Sequence, residues 1–226
     1  MELLKNNISK LKHGFTLSEV LITLVIIGIV AALTIPTAIN KYKDEEMKSQ
    51  FKNAYSTIKQ AIYKTEMYDF QGYAPCYYGT GIGANVSGCG SFFNALSKNL
   101  STQKVCNSNA LSGGCIPEYK TYAVDSGHEG FSQNYVENRN PAYVLSNGQI
   151  LLPYFYSPPN GAMPLIMFDI NGHKGPNAYG KDLFPFALYR NKDSGIFLKP
   201  TNPSMIIVSG GRTSDAMVKY AFAGIK

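Results

Sequence analysis

Glu19 is the one ionisable residue in the apolar run between Phe15 and Lys41. An ionised carboxylate at membrane depth costs about 2.5–3.5 kcal/mol. A group that expensive calls for a positive partner. A cut between Gly14 and Phe15 would create a free amine four residues from Glu19. Within one helix both groups would sit near the same end; between staggered neighbours, one chain's carboxylate would meet another chain's amine.

Other residue types in the chain could also do chemistry. Asp169, Asn171 and Asp182 offer hard oxygens in a glycine-rich stretch whose carbonyls could turn toward Ca²⁺. The stretch departs from the EF-hand template, with Gly172 at loop position 4 and no acid at position 12, and Lys174 and Lys181 oppose a cation. A long structural turn is the alternative. Gly79-Thr80-Gly81-Ile82-Gly83-Ala84 satisfies G-x-G-x-x-A, but a cysteine-containing loop flanks it where a dinucleotide site needs a strand and a helix. His128 and His173 each stand beside Gly in turn-like settings, outside any H-E-x-x-H or G-x-S-x-G arrangement. No catalytic constellation is present, so no enzyme and no cofactor other than calcium is expected.

Cys76, Cys89, Cys106 and Cys115 are the four cysteines, with no C-x-x-C among them. An even count in an exported domain suggests two disulfides, and three pairings are open. Neighbour pairing, Cys76 with Cys89 and Cys106 with Cys115, is the simplest because each closes a short loop. Four buried thiols are the alternative.

These residues need elements to hold them. Phe15–Ile35 would rise about 32 Å as a helix, enough to cross a hydrocarbon core. The leader's Lys5, Lys10 and Lys12 resist translocation, which sets the orientation N-in, C-out. Beyond Pro36 the pattern becomes amphipathic, with Met47, Phe51, Ala54, Tyr55, Ile58, Ala61 and Ile62 at spacings of three and four. That helix should end before Gly72-Tyr73-Ala74-Pro75. Residues 72–141 read as a disulfide-braced loop region rather than a sheet, with a short helix around Phe92–Leu100. Strands are signalled at Tyr143–Leu145 and Ile150–Leu152 around Asn147-Gly148, at Leu165–Ile170, across Phe184, Phe186 and Leu188, and at Ile196–Leu198. Met205–Val208 is one more candidate. The expected fold class is α+β: a long N-terminal helix packed on a C-terminal antiparallel sheet.

Gly14-Phe15-Thr16-Leu17-Ser18-Glu19-Val20, followed by the apolar helix and Pro36, resembles the N-terminal motif of type IV pilins and type II secretion system pseudopilins. The resemblance implies cleavage after Gly14 by a membrane prepilin peptidase and N-methylation of Phe15. It implies that Glu19 is the assembly glutamate, and that Gly28 and Pro36 flank a stretch that loosens in assembled filaments. It further implies partners in an inner-membrane assembly platform and in other pilin subunits, as a homo- or hetero-polymer. The corresponding organisation is a leader (1–14), a transmembrane or filament-core helix (15–36), its amphipathic continuation (37–70) and an extracytoplasmic globular domain (71–226). The protein would reside in the cytoplasmic membrane and then in a periplasmic or cell-surface filament.

Alternatives come from other classes. A signal-anchored exported enzyme or binding protein would also carry an apolar N-terminal segment. An ordinary secretory signal has no reason to hold a carboxylate near the start of its core. Removing residues 1–14 leaves 18 basic and 14 acidic residues, a net charge of +4, which is weak support for nucleic acid. A DNA-uptake pilin would use Tyr119-Lys120-Thr121-Tyr122 or the tail bearing Arg212, Lys219, Tyr220 and Lys226.

Overall fold

The computed structural model describes residues 14–73, 76, 86–120, 141–156, 163–191, 195–201 and 207–223. The chain divides into two compact units, Met1–Glu45 and Glu46–Lys226. Helix α1 (Leu17–Lys64) contributes to both. Its apolar first part is long enough to cross a membrane, and its large side chains from Val20 to Ile35 are exposed.

Within the second unit, Phe51, Ala54, Ile58, Ala61 and Ile62 of α1 are buried. They fall on one face because residues three and four apart share a side of a helix. After Lys64 the helix passes into a π-helical turn, Thr65–Asp69, and the Gly72 N–H donates to the Glu66 carbonyl (2.8 Å) to close it. The short helix expected around Phe92 is α2 (Val86–Asn99), and Asn99 ties it to the π turn through Thr65 Oγ1 (2.9 Å) and Asp69 Oδ2 (2.8 Å).

The sheet has six antiparallel strands in sequential order: β1 (Thr102–Cys106), β2 (Ala142–Leu145), β3 (Ile150–Tyr156), β4 (Met163–Asp169), β5 (Leu183–Asn191) and β6 (Gly195–Pro200). Both of its faces are covered. On one, Tyr143, Leu151, Ile166, Phe168, Phe184 and Phe186 pack with α1 and α2, and Phe51 meets Phe184 edge-on at 5.1 Å. On the other, Ile150, Leu152, Leu165, Met167 and Ala187 lie under Cys106, Cys115, Tyr119 and Tyr179. Adjacent strand residues serve opposite faces, and both faces are apolar, so β3 and β4 read as continuous hydrophobic runs.

The structure departs from the expected elements at three places. The 72–141 region is not free of sheet: β1 comes from it and pairs with β2 at the edge. Three of its five residues are exposed and only Cys106 is buried, so it carries no apolar alternation to read. The tail holds a helix, α3 (Ser214–Phe222), where none was expected; Thr213 caps it by accepting the Ala216 N–H (3.1 Å), and Met217 and Ala221 enter the core. Of the proposed strand Met205–Val208, Ile207 and Val208 are not in a strand, and the other two residues lie outside the described set.

Candidate assembly site

Thr16 and Glu19 form a reciprocal cap at the start of α1. Glu19 Oε2 accepts the Thr16 N–H (2.8 Å) and the Thr16 hydroxyl (2.8 Å). In return Thr16 Oγ1 accepts the Glu19 N–H (3.3 Å). This capping box satisfies donors that the first turn of a helix leaves unpaired. The helix dipole favours a carboxylate at this end as well. Thr16 was not singled out from sequence, although T-x-x-E before an apolar run is the readable signal for it.

Gly14 and Phe15 precede the helix and are exposed, Phe15 at 88%. Glu19 lies within the first turn, one residue ahead of an apolar surface that runs from Val20 through Val30 to Ile35. Gly28 has nothing within 4 Å of where a side chain would begin, and Pro36 lies inside α1. A carboxylate fixed at the head of a lipid-length apolar rod is an arrangement suited to pairing with a terminal amine.

A family model of the prokaryotic N-terminal methylation motif matches residues 9–35. The chain carries the type IV pilin and pseudopilin signature. No curated protein and no solved structure matches the chain. A pilin-type motif goes with an exported protein of structural character, and the apolar helix is compatible with a single-pass membrane anchor.

The remaining candidates fall elsewhere. Cys76 is bonded to Cys89 and Cys106 to Cys115. The first bridge sits in the core between α1 and the sheet, the second under the opposite face. Asp169 and Asp182 are buried and close enough to influence each other. Burial first, then the Asp182 charge, pushes Asp169 up to about 7; burial also raises Asp182.

Their oxygens are occupied as acceptors. Asp169 Oδ1 takes the N–H groups of Asn171 (3.1 Å) and Gly172 (2.7 Å), and Oδ2 takes the Tyr119 hydroxyl (2.8 Å). Asp182 takes the N–H groups of Asn177 (2.6 Å) and Ala178 (2.7 Å). No group of three His, Cys, Asp or Glu side chains gathers among the described residues. These donors brace the Asp169–Asp182 stretch as a turn. They fold the loop.

Tyr119 is buried, and its hydroxyl serves Asp169, so it offers no face to a base. Tyr220 is half-buried, with Lys48 and Arg212 over its ring at 4.8 and 4.1 Å. His173 is exposed. His128, Tyr122, Lys226 and the stretch Gly79–Ala84 lie outside the described residues.

Proposed function

We propose that this chain is a structural subunit of a type IV pilus or type II secretion pseudopilus. It is cleaved after Gly14, N-methylated at Phe15, and held N-in, C-out in the cytoplasmic membrane until it joins a filament. Apolar packing along Val20–Ile35 supplies cohesion, and Glu19 sets each incoming subunit in register by pairing with the amine of a neighbour. Prepilin peptidase and an inner-membrane assembly platform are its processing and assembly partners. The observation that carries this reading is Glu19, held by Thr16 at the head of an apolar, exposed helix inside the matched motif.

The test has two readouts. Mass spectrometry of the protein isolated from cells should find an N-terminus at Phe15 carrying one methyl group. Glu19→Val should enter the membrane at the wild-type level yet fail to appear in sheared filaments or in cross-linked oligomers. A mature chain beginning at Met1, or beyond position 30, removes the amine on which the pairing depends. A Glu19→Val protein that assembles normally points instead to a signal-anchored binding protein or enzyme.

A further inference from the structure

A ridge of cations runs between α1 and α3 within the second unit. It lies outside the N-terminal motif and does not depend on filament assembly. Lys48, Lys52 and Lys59 follow at intervals of four and seven residues and share one side of α1. Lys48 stands 4.8 Å from the centre of the Tyr220 ring, Lys52 6.0 Å from Phe222 and Lys59 5.6 Å from Tyr55. Arg212, just ahead of α3, stands 4.1 Å from Tyr220. Tyr55 meets Phe222 at 5.6 Å, and Lys48 and Lys52 are one turn apart, so four cations and three rings form one connected surface.

Acids are sparse along it. Between Glu46 and Glu66 the chain holds four lysines and no Asp or Glu. Asp44, four residues ahead of Lys48, offsets charge at that end only. The one acid of α3, Asp215, is paired with Lys219 at 2.6 Å.

The cations are also held in place. A lysine laid across a ring keeps its ammonium in water while its stem is packed. Such groups lose less freedom when a partner arrives than side chains waving in solvent. Lys59 is exposed, and Lys48, Lys52 and Arg212 are half-buried, so their charged ends can be reached from outside.

The flank of the ridge is neutral and polar. Ser49, Asn53, Ser56 and Gln60 are exposed, each one residue past Lys48, Lys52, Tyr55 or Lys59. Ser56 lies four residues from Lys52 and three from Lys59, which makes it their neighbour on the helix surface.

Cations in a row on an open ridge fit a linear polyanion. Single-stranded nucleic acid would look for open aromatic faces. Tyr55, Tyr220 and Phe222 pack against the core and lie under cations, so they give bases no platform. Hydroxyl and amide side chains beside the cations match a chain that carries hydroxyls as well as carboxylates. The Arg212 guanidinium suits the two oxygens of a carboxylate. We propose that the ridge between α1 and α3 binds an acidic polysaccharide, a polymer of uronate sugars, through Lys48, Lys52, Lys59 and Arg212.

Fluorescence anisotropy of labelled oligogalacturonate tests this, with the full chain in a zwitterionic detergent and EGTA. Binding should be measurable at about 50 mM salt and weaken on the order of tenfold by about 200 mM, because the ion pairs are open to solvent. Unlabelled polygalacturonate should compete, and neutral dextran should not. Lys52→Gln with Lys59→Gln should weaken binding about tenfold, the loss of two solvent-facing ion pairs. Lys98→Gln with Lys174→Gln removes the same charge from exposed positions elsewhere and should change binding less than about twofold. Lys59→Gln alone, at an exposed position, should give a several-fold loss and suffices if the double variant does not fold. No binding at about 50 mM salt overturns the proposal. So do equal losses in the two double variants, which would reduce the effect to net charge, and duplex DNA that outcompetes polygalacturonate at equal charge.

Discussion

Glu66 and Arg190, 124 residues apart, meet at 3.3 Å where the π turn of α1 abuts β5. The same carboxylate accepts the Ile196 N–H through Oε2 (2.5 Å), and the guanidinium donates to the Gly72 carbonyl as well. One buried side chain thus ties the end of α1 to both strands of the β5–β6 hairpin. Replacing Glu66 by Ala removes the acceptor of the buried Ile196 N–H and the carboxylate facing Arg190, which costs about 3 kcal/mol. Thermal unfolding of Glu66→Ala should begin on the order of 10 °C lower. Gly195→Ala should fall in the same direction, because its Cβ would lie 2.5 Å from Glu66 Oε2 at φ +70°. A midpoint within about 2 °C of wild type for Glu66→Ala would show that the hairpin docks without it.

The disulfides should matter to comparable degrees. They span 13 and 9 residues, loops whose closure stabilises by roughly 3 kcal/mol each in the chain-entropy account. Cys106→Ser with Cys115→Ser should lower the melting temperature by on the order of 10 °C, and Cys76→Ser with Cys89→Ser by a similar amount. Reductant should lower wild type toward the variants and leave the quadruple variant where it is. A reductant response in the quadruple variant would mean that another process is being read.

Thr16 should be needed to present Glu19. Thr16→Val removes both the cap and the hydroxyl that fixes the carboxylate, an effect of about 1 kcal/mol on the helix start. Filament yield should drop several-fold while membrane insertion and cleavage stay intact, and Thr16→Ser should restore the yield. Equal yields from Thr16→Val and wild type would show that Glu19 needs no positioning from its own chain.

How much of this was legible in the sequence depends on the reach of each signal. The β2–β3 hairpin was readable because Asn147-Gly148 is a local turn code, and the buried face of α1 because Phe51 to Ile62 repeat at helical spacing. Glu19 stood out by being alone in its run. Thr16 is legible as T-x-x-E, a cap code that stands beside the more conspicuous lone glutamate. β1 was hidden because an exposed edge strand such as Gln103-Lys104-Val105 has no alternation, and α3 because nine residues give little over two turns of pattern. The meetings of Glu66 with Arg190, and of Tyr119 with Asp169 across 50 residues, had no local trace. Such contacts are set by the topology of the sheet, which only the fold reveals.

Calcium should leave the domain unaffected. The carboxylates of Asp169 and Asp182 accept backbone N–H groups and the Tyr119 hydroxyl, which brace the loop without an ion. Melting temperatures in millimolar Ca²⁺ and in EGTA should agree within about 1 °C. A rise of several degrees, absent in Asp169→Asn, would make these residues ligands, since a ion bound only by the folded state stabilises it in proportion to ln[Ca²⁺].

The same pair should make stability depend on pH. Burial and the neighbouring Asp182 hold the folded Asp169 at about 7, above its ordinary 3.8. Between those values the folded state therefore binds more protons than the unfolded chain, and stability falls as pH rises. The contribution is whole below pH 3.8 and is lost as pH passes through about 7. Asp182, raised by burial too, acts in the same direction. Ordinary carboxylates held as salt-bridge partners give the opposite slope. The melting temperature should accordingly climb as the buffer is taken from pH 8 to pH 5, by on the order of 5 °C, and Asp169→Asn should flatten that slope. A wild-type curve that is flat or falling over this range would mean that the donors on Asp169 outweigh its burial, leaving the carboxylate ionised throughout.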